Sequence, residues 1–154
     1  MLFVCTGNIC RSPLAEALFR HHAGRRRVID LFDIASCGTG GWHAGDDADP
    51  RTLAVARQYG IPMRHVARQL DSTCDFDRFE WILAMDRSHM NALLPYRRPT
   101  SRLHLMREFD PACAGLAGRD LDVPDPYYGG PEGFESMYQM LDRACRGLLD
   151  HMLR

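Results

Sequence analysis

The chain begins with a pattern that predicts a strand, a tight loop and a helix. The apolar run at residues 2–4 leads directly to Cys5, five residues separate Cys5 from Arg11, and an amphipathic stretch follows. Backbone N–H groups in such a loop point inward, and the dipole of the helix adds positive potential at its N-terminus. That field favours a bound oxyanion and a thiolate, while an arginine can hold two phosphate oxygens in a planar fork. The sequence therefore predicts a phosphate-binding loop, with Cys5 as a thiolate nucleophile.

The spacing alone is weak evidence, because a buried strand cysteine and a surface arginine could meet at this distance by chance. The intervening residues favour the loop. Gly7 and Asn8 suit positive φ, Ser12 is a good N-cap, and Pro13 fits the first helical position. We therefore treat residues 5–12 as the P-loop.

A zinc site is the alternative for Cys5 and Cys10. It would need two further ligands at matching spacing, and neither Cys37 nor Cys74 belongs to a Cys-x-x-Cys pair. We therefore expect no metal ion, and the chemistry of the loop requires no cofactor.

A second segment contains a candidate acid. A thiolate that attacks a phosphate ester must expel an alkoxide or phenoxide, which needs a proton, and the same acid can later activate water. Asp125 lies between two prolines and is followed by Tyr127 and Tyr128 in a glycine-containing segment. An ordinary turn is the alternative, since Asp and Pro are common turn residues. Together with the P-loop, the segment favours a general acid at Asp125.

These two segments resemble the low-molecular-weight protein tyrosine phosphatase family. The resemblance is carried by the run from Cys5 to Pro13, Cys-Thr-Gly-Asn-Ile-Cys-Arg-Ser-Pro, and by Asp-Pro-Tyr-Tyr at residues 125–128. It extends over nearly the whole chain and includes the segments at 34–36, 60–69 and 82–86. The order and spacing of these segments make the match specific.

The resemblance implies roles for individual residues. Cys5 would be the nucleophile, Arg11 the phosphate clamp and Asp125 the general acid. Ser12 would donate a hydrogen bond to the Cys5 thiolate, and Asn8 would hold the loop through a network with Ser36 and His65. The phosphate-binding residues of the loop would be Thr6, Gly7, Asn8, Ile9, Cys10 and Ser12.

Two further roles concern the walls of the pocket and its redox chemistry. A phosphotyrosine ring needs apolar walls, which Trp42, Tyr127 and Tyr128 could supply; core packing is the alternative for Trp42. The resemblance also implies that Cys10 captures an oxidised Cys5 as a disulfide, whereas the simpler alternative is that Cys10 packs beneath the loop.

Composition limits the class of protein. The 154 residues suit one domain with a real core, and a net charge of −1 gives no reason to expect nucleic acid or an anionic membrane as a partner. No apolar run approaches the ~20 residues of a membrane span, and no signal peptide precedes the first strand. Six scattered cysteines favour free thiols in a cytoplasm, and basic residues that are all arginine are typical of a bacterial, GC-rich genome.

The alternation of strands and helices predicts a three-layer α/β/α fold with a four-stranded parallel sheet and the P-loop after strand 1. Strands are expected at 2–4, 31–36, 81–85 and 103–106. Helices are expected at about 13–23, from Asp49-Pro50 to near Gly60, and at 87–94. The last helix is predicted by Phe134, Met137, Tyr138, Leu141, Cys145, Leu148 and Met152 at helical spacing.

Three other functions compete with a tyrosine phosphatase. Arsenate reductases use a similar loop but typically have Ser in place of Ile9 and Gln in place of Pro13, with a relay of further cysteines. Protein arginine phosphatases usually carry Thr in place of Ile9, whose larger side chain would crowd a guanidinium. A phosphotyrosine-binding pseudoenzyme would not need all of Cys5, Arg11 and Asp125. We expect a phosphotyrosine protein, such as a bacterial tyrosine kinase, as the substrate, and we expect the protein to be a monomer or weak dimer.

Overall fold

The structure is a computed structural model that describes all residues 1–154. Its centre is one sheet of four parallel strands in the order β2-β1-β3-β4. The strands are β1 (Leu2–Cys5), β2 (Ala35–Gly38), β3 (Trp81–Ala84) and β4 (Arg102–Leu105). The four-stranded parallel sheet predicted from the sequence is confirmed.

Helices cover both faces of this sheet. They are α1 (Arg11–Arg25), α2 (Pro50–Gln58), the single turn α3 (Asp75–Arg78), α4 (Arg87–Leu93) and α5 (Pro131–Met152), with short 3₁₀ turns between them. The longest helix, α5, begins with Pro131 in its first turn and buries most of the residues that predicted it, from Phe134 to Leu148. The α/β/α layering is confirmed.

Strand β1 is entirely buried because it lies between β2 and β3 and is covered on both faces. Successive side chains of a strand point to opposite faces. Accordingly, Phe3 packs in the large cluster that includes α1 and α5, whereas Leu2 and Val4 pack in the smaller cluster with residues of α3 and α4. The carboxyl end of β1, where Cys5 lies, is thereby fixed by the core.

Two local predictions were wrong. The second strand starts at Ala35 rather than Leu31, because Ile29–Leu31 forms a 3₁₀ turn that leaves Leu31 exposed. Helix α1 starts at Arg11, with Cys10 at the N-cap position, and the Ser12 side chain caps no backbone group because it contacts the sulfur of Cys5.

The other boundaries lie within about two residues of the predicted ones. Asp49 is the N-cap of α2, as expected, and its carboxylate accepts the backbone N–H of Arg51. No helix of the structure is long and apolar enough to cross a bilayer.

Candidate active site

The P-loop connects the end of β1 to the start of α1, at the carboxyl edge of the parallel sheet. Parallel α/β folds place their sites at this edge. Asn8 has a φ of 57°, whereas Gly7 does not have the positive φ that its sequence position predicted. Gly38, at the end of β2, lies directly beside the loop: a Cβ there would be 2.5 Å from the carbonyl oxygen of Thr6. Glycine at position 38 therefore lets the loop close against the sheet.

Asn8 is fully buried and makes hydrogen bonds in several directions. Its Nδ2 donates to Ser12 Oγ at 2.8 Å and to Ser36 Oγ at 3.0 Å. Its Oδ1 accepts the backbone N–H of Arg68 at 3.0 Å, and its carbonyl oxygen accepts from His65 Nε2 at 2.6 Å. These bonds offset the cost of the left-handed backbone, which is unfavourable for a residue with a Cβ.

Cys5 is buried, and its Sγ lies 2.9 Å from Ser12 Oγ. Because Ser12 already accepts a hydrogen bond from Asn8, its own proton is available for the sulfur or for the carbonyl oxygen of Cys37 at 3.3 Å. A sulfur that carries negative charge is the stronger acceptor of the two. The arrangement is suited to stabilising a thiolate.

Arg11 is buried, with only 3% of its side chain exposed, yet it carries a permanent charge. Its Nη1 donates to Asp86 Oδ2 at 2.7 Å and to the carbonyl oxygen of Val123 at 3.0 Å, and its Nη2 donates to Thr6 Oγ1 at 3.3 Å. These bonds fix the plane of the guanidinium, use both N–H groups of Nη1 and one of Nη2, and leave the N–H of Nε and the second N–H of Nη2 for a bound anion.

The charge state of Asp86 is suited to pairing with the Arg11 guanidinium. Burial raises the pKa of the Asp86 carboxyl, but hydrogen bonds from Ser88 and Arg11 and the positive charge nearby outweigh burial. Its pKa is therefore below the ordinary value, and at neutral pH Asp86 is the carboxylate that balances the buried charge of Arg11.

Asp125 lines the same cavity as Cys5. Its Oδ2 is 3.7 Å from Arg11 Nη2, and its Oδ1 accepts the backbone N–H of Tyr127 at 3.1 Å. About half of its side chain remains accessible, 45% by area. Residues 123–130, the Asp125 loop, are attached at one end, where the Val123 carbonyl bonds to Arg11, and in the middle, where the Tyr127 carbonyl accepts from Arg51 at 3.0 Å.

These groups converge on one cavity of about 330 Å³. Its floor and rim are formed by Cys5, Thr6, Gly7, Ile9, Cys10, Arg11, Trp42, His43, Asp125, Tyr127 and Tyr128. Trp42 is 75% exposed and Tyr128 is 91% exposed, so neither packs in the core. The Trp42 ring lies directly over Gly40, where any side chain would collide with it. The cavity therefore combines a buried polar floor with aromatic walls that stand in solvent.

Comparison with known proteins agrees with this geometry. The family model for low molecular weight phosphotyrosine protein phosphatases matches residues 1–154. A low molecular weight protein-tyrosine-phosphatase of Streptomyces coelicolor is 48% identical over 150 residues, which cover 96% of this chain and 89% of that relative.

The chain belongs to the low-molecular-weight phosphotyrosine protein phosphatase family.

Other members of the family and its structural neighbours are similar along their whole length. Low molecular weight protein-tyrosine phosphatase A of Mycobacterium tuberculosis is 39% identical, with 96% of this chain and 88% of that relative covered. A protein tyrosine phosphatase of Entamoeba histolytica has a TM-score of 0.88 at 34% identity, covering 99% of this chain and 95% of that one. A Drosophila arginine phosphatase has a TM-score of 0.86 at 29% identity, covering 99% and 97%.

In this phosphatase, four residues near the cavity were not among the sequence candidates: His43, Arg51, Asp86 and His89. Asp86 could have been predicted from the sequence, because it follows β3, and parallel strands end at the same edge of the sheet, where Cys5 lies. Arg51 and His89 could not have been predicted in this way, since their contacts join segments 76 and 83 residues apart in sequence. His43 adjoins Trp42 on the cavity wall, and its Nδ1 lies 3.3 Å from Asp46 Oδ2.

The second cysteine of the phosphatase loop, Cys10, is buried but lines the same cavity as Cys5. Burial is the largest of the causes that raise the pKa of the Cys10 thiol to about 12. Cys10 is therefore a neutral thiol at neutral pH. Of the six cysteines, only Cys5 and Cys10 line the cavity. Nowhere in the phosphatase do three or more His, Cys, Asp or Glu side chains converge as metal ligands.

Proposed function

We propose that this protein hydrolyses phosphotyrosine in proteins through a phosphocysteine on Cys5, as one domain formed by residues 1–154. One observation carries the proposal: Cys5, Arg11 and Asp125 meet at a single cavity with aromatic walls. Membership of the phosphatase family supports the same reaction. The roles of the individual residues follow from their contacts.

In the first half-reaction, the Cys5 sulfur attacks the phosphorus of the ester. The bond between phosphorus and the phenolic oxygen breaks, and the carboxylic acid of Asp125 gives its proton to that oxygen. Inward-facing loop amides and the free edge of Arg11 stabilise charge on the equatorial oxygens. The Ser12 hydroxyl, 2.9 Å from the sulfur, stabilises the thiolate before attack and after release.

In the second half-reaction, the Asp125 carboxylate takes a proton from water. The water oxygen bonds to phosphorus, and the sulfur–phosphorus bond breaks. Inorganic phosphate is released, and Cys5 is again a thiolate. Asp125 is suited to both steps because its carboxyl group is half accessible and lies at the mouth of the cavity. No step requires a metal ion or a cofactor, so we expect full activity in the presence of a chelator.

The shape of the cavity supports an aryl ester as substrate. A phosphotyrosine side chain carries its phosphate farther from the backbone than phosphoserine does, which suits a buried sulfur, and Trp42 and Tyr128 line the cavity as aromatic contacts for its ring. Ile9 lines the cavity as well, and its branched side chain would crowd a phosphoarginine guanidinium. An arsenate reductase would need further cysteines at the cavity, and Cys37, Cys74, Cys113 and Cys145 lie elsewhere.

The proposal extends to the protein's surroundings. We expect the protein to work in the cytoplasm, as a monomer or weak dimer, on a phosphotyrosine protein such as a tyrosine kinase of the same cell. Neither nucleic acid nor a membrane is expected as a partner, since the net charge is −1.

Rates on three matched peptides test the proposed substrate. The peptides carry phosphotyrosine, phosphoserine or phosphoarginine at the same position, and arsenate reduction with a thiol reductant serves as a fourth assay. We expect kcat/KM to be highest for phosphotyrosine by at least about 100-fold, with no reduction of arsenate. A preference for phosphoarginine, or arsenate turnover, would replace the proposal by the corresponding alternative.

A further inference from the structure

The guanidinium of Arg11 is held by a closed ring of hydrogen bonds that passes through His89. Arg11 Nη1 donates to Asp86 Oδ2 at 2.7 Å, and the backbone N–H of Asp86 donates to His89 Nδ1 at 3.1 Å. His89 Nε2 lies 2.8 Å from Thr6 Oγ1, and Thr6 Oγ1 accepts from Arg11 Nη2 at 3.3 Å. The ring therefore starts and ends on the two terminal nitrogens of one side chain.

This ring of hydrogen bonds fixes the tautomer of the His89 imidazole. A backbone N–H can only donate, so Nδ1 must be the acceptor and the single proton of a neutral imidazole must be on Nε2. Nε2 then donates to Thr6 Oγ1. Burial, with a smaller effect of the Arg11 charge, lowers the pKa of His89 to about 4, so the imidazole is neutral at pH 7. The carboxylate oxygen of Asp86 at 3.2 Å from Nδ1 would attract only a protonated ring.

The Thr6 hydroxyl is fixed in turn, because its oxygen accepts hydrogen bonds from two donors. A hydroxyl oxygen has two lone pairs, and here His89 Nε2 and Arg11 Nη2 occupy both. The side chain of Thr6 is therefore held against Arg11 rather than free to rotate in the cavity that it lines. Valine at this position would have the same shape without any lone pair.

We propose that His89 is a positioning residue of the phosphate site: by holding Thr6 Oγ1 against Arg11 Nη2, it fixes the guanidinium before the phosphate arrives. Asp86 and the Val123 carbonyl fix Nη1, and the pair Thr6–His89 fixes Nη2, which leaves the N–H of Nε and the second N–H of Nη2 for phosphate. A clamp that is fixed in advance loses less conformational entropy on binding. The inference rests on the proposed function only in that the P-loop must bind phosphate.

Two substitutions separate positioning from folding, because each keeps a different half of the imidazole. In His89→Asn the amide oxygen takes the place of Nδ1 and still accepts the Asp86 N–H, but nothing reaches Thr6. In His89→Gln the amide nitrogen takes the place of Nε2 and still donates to Thr6, but the N–H of Asp86 loses its acceptor. Binding of inorganic phosphate and of vanadate is measured by calorimetry, and stability by urea unfolding.

We expect His89→Asn to weaken phosphate and vanadate binding about 10-fold, because this is the size of effect that the loss of one hydrogen bond supporting a charged group produces. His89→Gln should bind within about threefold of the wild type while being the less stable of the two. Thr6→Val should weaken binding like His89→Asn, Thr6→Ser should restore it, and the Thr6→Val/His89→Asn double variant should be no weaker than either single one.

A matched control is His22→Asn on α1, where another histidine, with only 12% of its side chain exposed, has its Nε2 2.8 Å from Asp142 Oδ1. It should lower stability without changing phosphate affinity. Equal phosphate affinity of His89→Asn and His89→Gln, or additive losses in the double variant, would overturn the proposal and leave His89 as a helix cap. A wild type that does not bind phosphate would instead refute the proposed function.

Discussion

The two halves of the active site are held in opposite ways. The P-loop is buried, and nearly every polar side chain in it has at least one partner: Asn8 contacts Ser12, Ser36 and Arg68, and Arg11 contacts Asp86, Val123 and Thr6. Most of the Asp125 loop is exposed, apart from Val123 and Pro126, and its attachments are few.

The difference follows from what each half must do. The P-loop must present charge-stabilising groups in one geometry, so rearrangement during the reaction would raise the barrier. In the proposed reaction, the Asp125 loop admits a protein side chain, gives up a proton and then admits water, and its acid and its two tyrosines are exposed. Substitutions that remove hydrogen bonds within the P-loop should therefore change both stability and phosphate binding, whereas those at exposed residues of the Asp125 loop should change kcat or KM without changing stability.

The largest expected effect is that of Cys5→Ser. Turnover should fall below detection, because a serine hydroxyl without a base beside it is a poor nucleophile. The fold should persist, since one sulfur is exchanged for oxygen in an otherwise unchanged loop, and vanadate should still bind. Steady-state rates and vanadate titration check this. Turnover near the wild-type rate would contradict the covalent mechanism.

The next effect compares Asp125→Ala with Arg11→Ala. Loss of a general acid typically costs about 10²–10⁴-fold in kcat, and the loss at Asp125 should shrink for aryl phosphates with acidic leaving groups. In the proposed mechanism Arg11 contacts phosphate in both the ground state and the transition state, so Arg11→Ala should change both kcat and KM, as steady-state kinetics would show.

Unfolding measurements sharpen the same comparison. Arg11→Ala leaves the Asp86 carboxylate without its partner and should destabilise the fold by about 3–5 kcal/mol. Asp125→Ala should change the free energy of unfolding by less than about 0.5 kcal/mol, because the residue is exposed. A loss at Asp125 that is independent of leaving-group pKa would remove it from the acid role.

A third comparison uses one residue from each half of the site, Asn8 and Tyr128, neither of which takes part in the chemical step. Asn8→Ala removes a buried network and leaves Ala at positive φ, and we expect about 2–4 kcal/mol of lost stability together with weaker phosphate binding. Tyr128→Ala should leave stability unchanged and raise KM for phosphotyrosine peptides only. Similar unfolding midpoints for these two variants would show that the loops are not held differently.

The smallest effect on basal activity is expected for Cys10→Ser. We predict that peroxide oxidises the Cys5 thiolate to a sulfenic acid, and that Cys10 displaces water from it to form a disulfide. The raised pKa of Cys10 predicts a slow capture, which should accelerate at higher pH. Cys10→Ser should be fully active but should recover less activity with reductant. Equal recovery, without a Cys5–Cys10 peptide in mass spectrometry, would assign Cys10 to packing.

The same contrast explains what could be predicted from the sequence. The P-loop is local, since strand, loop and helix follow one another within some 25 residues, and Asp125 is marked by its prolines. Ser12 was expected to cap α1 because a serine before a helix usually does, but a nearby sulfur competes for its hydroxyl. The second strand was placed too early because apolar Leu31 belongs to an exposed turn.

The supports of the site were harder to predict. His65, known here only from the resemblance, contacts Asn8 across 57 residues, and His89 contacts Thr6 across 83. Such contacts depend on which strand ends meet at the sheet edge, and no spacing in the sequence encodes them. An acidic residue directly after a predicted strand, as at Asp86, is the signal that a sequence analysis could use.

Direct detection of the phosphorylated residue tests the central claim that Cys5 carries the phosphoryl group. In Asp125→Ala, an aryl phosphate with an acidic leaving group should still phosphorylate Cys5, while hydrolysis is slowed because no carboxylate activates water. Acid quenching during turnover followed by peptide mass spectrometry should then show one phosphoryl group on the peptide that contains Cys5, and none in Cys5→Ser. Turnover without a phosphorylated Cys5, or with the phosphoryl group on another residue such as His43, would contradict the account.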